Sequence, residues 1–227
     1  MSSERTTDRT AGWLGIAFLL VLLASEAALS LPDEHASAQA VATFYAEHRT
    51  FIVVLQIAGF VAALLLGLFA WRLRPIGPGV AGAGIMLAVL ALAPGVFTLL
   101  TALVADPAQP AAAGRFNHWE PRGDDLLFVG VTVFAATLLG FLGRQPRWLG
   151  LLAAIVAVCC LTRFVVELLG RDRGVLDVLA PVSFLVLIAA LTWLCFRGLP
   201  SMVTPLDHRA RPVGRRRTVP EGPEQRR

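Results

Sequence analysis

The chain contains no lysine at all, only one tyrosine and three cysteines, and just 16% of its 227 residues are charged. Each scarcity removes a class of function. Without lysine there is no Gly-x-x-x-x-Gly-Lys phosphate loop, so Gly77, Gly79, Gly82 and Gly84 read as close helix packing at the entrance to a span. No Cys-x-x-Cys or His-Glu-x-x-His occurs, which removes the usual zinc and dithiol signatures. Cys159 and Cys160 are adjacent, so on a helix they point about 100° apart and are poorly placed to bridge. All three thiols are expected to stay free. His35, His48, His118 and His208 fall outside the apolar runs, which argues against haem ligation and against a histidine-assisted nucleophile within the membrane. No cofactor is expected, and no catalytic residue is assigned.

What the chain has in excess is apolar surface. Hydrophobic residues make up 56%, and the mean hydropathy is +0.67. A soluble domain carries roughly 45–50% apolar and about 25% charged residues, so much of this surface needs lipid as its solvent. Charge-poor runs, judged against about 20 residues per ~30 Å of hydrocarbon, fall at Trp13–Ser30, Thr50–Trp71, Gly79–Ala105, Leu126–Leu142, Leu149–Leu169 and Val178–Phe196. The fold class is therefore all-α, a polytopic bundle of six transmembrane helices over residues 13–197. It lies between a short N-terminal segment, 1–12, and a tail, 198–227, expected to be disordered.

Arginine sets the orientation. With the N-terminus inside, Arg5, Arg9, Arg72, Arg74, Arg144, Arg147, Arg197 and the tail arginines lie on the cytoplasmic side. Most loop carboxylates, among them Asp106, Glu120, Asp124, Asp125 and Asp177, then lie outside. Both termini are expected in the cytoplasm of a plasma-membrane protein. Trp13, Trp71, Trp148 and Trp193 mark the inner headgroup level. Arg5 and Arg9 ahead of an apolar run also suit a signal peptide, but the run is short and Glu26 occupies the would-be cleavage region, so the first span is expected to be retained. The net charge of +4 fits this topology better than nucleic acid, and no nucleic-acid partner is expected. Arg209, Arg211 and Arg215–Arg217 are expected to touch anionic lipid.

Two outer segments are long. Residues 33–48 carry Val41, Phe44, Tyr45 and His48 at helical spacing, with Ser37 as a possible cap, and predict a short helix lying on the outer leaflet. Residues 106–123, rich in proline, alanine and glycine, predict an irregular loop.

Three ionisable residues interrupt the spans, Glu26, Arg163 and Glu167. Such residues are costly in lipid and are functional candidates. At about 1.5 Å rise per residue, Glu26 lies about 20 Å above Trp13, with Arg163 and Gln56 each about 22 Å above Trp148 and Trp71. Glu26, Gln56 and Arg163 thus share one level in the outer half, and Glu167 stands one turn from Arg163 on the same face. A structural ion pair between Arg163 and Glu167, extending to Glu26, is one reading. A solvated pocket using Arg163 for an anion, or Glu26 for a proton, is the other.

Glu26, the stretch Ala42-Thr43-Phe44-Tyr45-Ala46-Glu47-His48-Arg49, and the turn Pro146-Arg147-Trp148-Leu149-Gly150 together resemble a broad group of bacterial, mainly actinobacterial, integral membrane proteins of unknown function. The resemblance covers most of residues 10–197. It implies a six-helix membrane protein and carries over no catalytic residue. The expected function is a non-enzymatic structural, partner-binding or sensory membrane component. The alternative is a small secondary transporter or proton-coupled carrier using Glu26 and Arg163. No internal repeat links the two halves, which counts modestly against transport. A water-accessible cavity reaching Arg163 would separate the two, because a carrier needs one and a scaffold does not.

Overall fold

Helices begin in the computed structural model where a short polar side chain or a proline precedes an apolar run. Asp8 accepts from Ala11 N at 3.0 Å and opens α1, Arg9–Glu26. Ser37 accepts from Ala40 N at 3.2 Å and opens α2, Ala38–Arg72. These contacts satisfy backbone donors that a first helical turn leaves without partners. Pro78, whose missing N–H costs nothing at a first position, opens α3, Pro78–Leu90. There follow α4, Leu92–Val104, α5, Ala111–Phe141, α6, Arg147–Leu168, and α7, Leu176–Arg197. The structure describes residues 5–6, 8–32, 36–141, 147–171, 173–197 and 199–200. The expected tail contacts at 209–217 lie outside them. Arg5–Thr6 pairs antiparallel with Leu199–Pro200, which puts the start of α1 and the end of α7 at one end of the bundle.

With α3 and α4 counted as one span, six helices are long and apolar enough to cross a membrane. Between 22% and 44% of each span's most apolar stretch is buried inside the protein, so most of that surface faces outward. Leu64, Leu151, Val158 and Val182 are typical of the exposed belt. No water-soluble fold leaves such a belt uncovered. The fold is a multi-pass membrane bundle.

Its spans form a ring. α1 packs on α2 and α7, α2 on α3 and α4, both of these on α5, then α5 on α6 and α6 on α7. Trp13, Trp71, Trp148 and Trp193 all lie exposed at the arginine-rich end. Arg74 and Arg197 sit over the rings of Trp71 and Trp193 at 5.0 and 4.2 Å. This end is packed tightly through small residues. A Cβ on Gly12 would lie 2.5 Å from the Phe196 ring, and one on Gly15 would strike Thr192, so α1 and α7 meet almost backbone to side chain. Gly84 does the same for α3 against Ala70 of α2. We expect Gly15→Leu to cost about 1–3 kcal/mol by overpacking. Gly82→Leu, whose side chain would enter open space, should be near neutral. Melting in detergent compares the two, and equal losses would show that the α1–α7 contact is not tight.

Two expectations are corrected. The outer-leaflet helix is not a separate element. From Ala38 it runs unbroken into the second span, because nothing between His48 and Phe51 breaks a helix, and Arg49 ties it to Ala105 O at 2.5 Å. The loop at 106–123 is helical from Ala111. Three alanines favour the helix there, and Pro121 is accommodated inside it. Gln39 in the first extension donates to Pro107 O, in the turn ahead of the second. The third span is two helices meeting at Ala91, since Pro94 has no N–H for the carbonyl one turn back.

α6 stops cleanly. Gly170 takes the left-handed conformation (φ 64°), with Gly170 N donating to Glu167 O and Arg171 N to Val166 O. That pattern caps the last carbonyls and turns the chain back over the bundle.

Candidate functional site

Apolar packing falls into two clusters. The larger, around Leu66, Phe69, Leu87, Phe134 and Leu187, fills the arginine-rich end and the middle. The smaller joins Val41, Tyr45, Ile52, Ala102 and Ala113 where α2, α4 and α5 extend at the acidic end. Between them lies a cavity of about 530 Å³, lined by residues of α1, α2, α4, α5, α6 and α7. Its walls are mostly aliphatic and aromatic. Phe18 and Phe184, edge to face with centroids 6.5 Å apart, contribute to its floor.

The polar lining comes from every side of the ring. α1 ends in the cavity with Ser25 and Glu26, and α2 contributes Gln56. Gly95 makes room for that amide, because a Cβ there would lie 2.8 Å from Gln56 Oε1. On α5, Glu120 and Asp124 are one turn apart and both line the cavity. Gly123 between them lets α5 approach the Pro94 kink so closely that a Cβ would be 2.8 Å from Pro94 N. Thr98 on α4 lies within hydrogen-bond distance of Glu120 Oε1 at 3.0 Å and Pro94 O at 3.1 Å. Tyr45 is fully buried and turns its hydroxyl toward Thr98 and Glu120 without completing a hydrogen bond of normal geometry.

Arg163 reaches the same cavity but is held in its wall. Only 4% exposed, it donates from Nε to Asp177 Oδ1 at 3.1 Å and from Nη1 to Asp125 Oδ1 at 3.4 Å. Its guanidinium carbon lies 4.0 Å from the Phe128 ring centre. One cation thereby joins α5, α6 and α7. Arg173, in the turn after α6, continues the chain to Asp177 at 3.8 Å and to Glu167 at 2.5 Å. The bond to Glu167 holds the Arg173 guanidinium even more firmly protonated than usual.

Glu26, Gln56 and Arg163, matched by depth along their helices, thus meet around one cavity. Glu167 does not join them. The expected Arg163–Glu167 bond is replaced by Arg163 to Asp125 and Asp177, and Glu167 is reached only through Arg173. The reason is the tight turn at Gly170, which delivers a nearer guanidinium to Glu167. Sequence reasoning missed Glu120, Asp124, Asp125 and Asp177 by assigning them to loops. The i,i+4 spacing of Glu120 and Asp124, immediately before an apolar run, was the signal that could have found them.

Among the described residues, Glu26, Glu120 and Asp124 have no cation within salt-bridge distance, and no group of three or more His, Cys, Asp or Glu is arranged to hold a metal ion. Cys160 and Cys195 are buried, Cys159 is half-buried, and all three are free. His48 is occupied with Phe44, hydrogen-bonding its carbonyl and stacking on its ring. The site can therefore exchange protons or attract a positive group, and it offers an anion little. No protein-family model matches the chain, and no curated protein or solved structure is significantly similar to it.

Proposed function

We propose that the protein is a proton-linked carrier of a small molecule in the plasma membrane. Both termini are cytoplasmic, and the cavity is loaded from outside. The observation that supports this reading best is the cavity itself, with Glu26, Glu120 and Asp124 on a mostly apolar lining. Carboxylates without an ion-pair partner are costly in a membrane bundle and are functional candidates by default. Such a group is either protonated or balanced by a bound cation. Those states exclude one another, so proton and ligand compete for the same place. The volume is within the roughly 300–1,000 Å³ of pockets that take drug-sized ligands. Arg163 forms wall in this scheme, and the carboxylates do the exchanging.

A structural or partner-binding role has one observation in its favour, the closed charge chain from Asp125 to Glu167, which locks three helices together. Accessibility separates the two. With Cys159, Cys160 and Cys195 replaced by serine, Gln56→Cys should react with a membrane-impermeant thiol reagent added outside cells. Its rate should change several-fold when a protonophore collapses the proton gradient. Reaction from the cytoplasmic side alone would reverse the orientation. A rate indifferent to the gradient would leave the scaffold.

A further inference from the structure

We infer that the ligand of this cavity is a hydrophobic organic cation, a quaternary or protonated amine with an apolar body. The inference rests on reading the cavity as a ligand site and adds the ligand's charge and character.

Charge comes first. Among the described residues the only cation lining the cavity is Arg163, and two carboxylates already engage it, at 3.1 and 3.4 Å. An anion entering the cavity would meet Glu26, Glu120 and Asp124 with no spare guanidinium to receive it. A cation meets three acceptors that lack an ion pair among the described residues. A second observation points the same way. The Tyr45 hydroxyl is completely buried beside Thr98 and Glu120 and makes no hydrogen bond of normal geometry. The Thr98 hydroxyl has one proton for two acceptors, Pro94 O and Glu120, so this corner keeps unused acceptor capacity. Buried polar groups are normally paired, and the corner where Thr98 and Glu120 enter the lining with Tyr45 behind them is under-satisfied.

Character follows from the walls. An inorganic ion needs several oxygen ligands converging at short distance, and no such group is present among the described residues. Aliphatic and aromatic side chains make up most of the lining instead, leucine and phenylalanine foremost among them. Phe18, Phe60 and Phe184 all face the cavity, and ring faces attract an organic cation that has shed its water. A charged head at Glu120 and Asp124 and an apolar body against the phenylalanines would use both halves of the lining.

The test is equilibrium binding of radiolabelled tetraphenylphosphonium to the full chain in uncharged detergent, with protein-free micelles subtracted. Tetraphenylborate, the same shape with opposite charge, serves as its counterpart. We expect saturable binding of the phosphonium, no saturable binding of the borate, and a loss of roughly tenfold in phosphonium affinity (about 1.4 kcal/mol) for Glu120→Gln with Asp124→Asn. Saturable binding of the borate alone would overturn the cation and leave a ligand cavity standing. Saturable binding of neither would overturn both readings. Phosphonium affinity unchanged in the double variant would remove the carboxylates from recognition and overturn the inference.

Discussion

Arg163→Ala is expected to destabilise the bundle by about 3 kcal/mol, the lower part of the range for breaking a buried ion pair by removing one partner. The lower part applies because Asp177 is 49% exposed, whereas Asp125 at 14% has little water to replace the lost cation. Contact with the Phe128 ring is lost as well. Arg163→Lys should recover only part of the loss, since one ammonium cannot present the planar fork that reaches two helices from different nitrogens. Thermal aggregation in detergent provides the measurement, and double variants locate the partner. Arg163→Ala with Asp125→Asn should lose less than the sum of the two single changes. Arg163→Ala with Glu167→Ala should lose the sum, because Glu167 is bound to Arg173 instead. Strict additivity with Asp125→Asn would show that the α5–α6 link is not energetic.

Replacing Glu120 and Asp124 together by leucine should do the opposite. We expect the bundle to gain stability, on the order of 1–3 kcal/mol, because a carboxylate held in an apolar cavity without an ion-pair partner costs at least that much to desolvate. Ligand binding and proton exchange should disappear. Thr98 keeps Pro94 O as an acceptor, so removing Glu120 leaves no orphaned hydroxyl. Binding sites commonly store this kind of cost. The paired melting and phosphonium-binding measurements check both halves. A loss of stability comparable to that of Arg163→Ala would mark Glu120 and Asp124 as structural and remove the case for exchange.

The six spans were legible because lipid imposes a length and a composition that no other constraint imitates. Glu26, Gln56 and Arg163 could be brought to one level because rise along a helix is fixed, so counting from a tryptophan gives depth. Two things resisted. Where α2 and α5 extend at the acidic end, they pack on each other through Val41, Tyr45 and Ala113. That tertiary contact overrides Gly114, Pro121 and Gly123, whose local preference is for a loop. Partner choice resisted as well. Glu167 stands at the correct spacing from Arg163, yet sequence spacing carries no information about the turn at Gly170 that brings Arg173 closer. Geometry within one helix can be read from numbering, and geometry between helices cannot.

The cavity floor has an electrical consequence. Counting helical rise from the tryptophans, Phe18, Leu66 and Phe184 lie only about 8–14 Å from the arginine-rich face. In the carrier proposed above, with the cavity loaded from the acidic side, the water filling it would carry that side's potential down to the floor. The transmembrane voltage then falls across the thin Gly12, Gly15, Thr192 and Phe196 packing instead of across the full ~30 Å of hydrocarbon. One elementary charge crossing 100 mV does about 2.3 kcal/mol of work. Here nearly all of that work is confined to a plug a third as thick as the membrane, so the local field is about threefold stronger than in bare lipid.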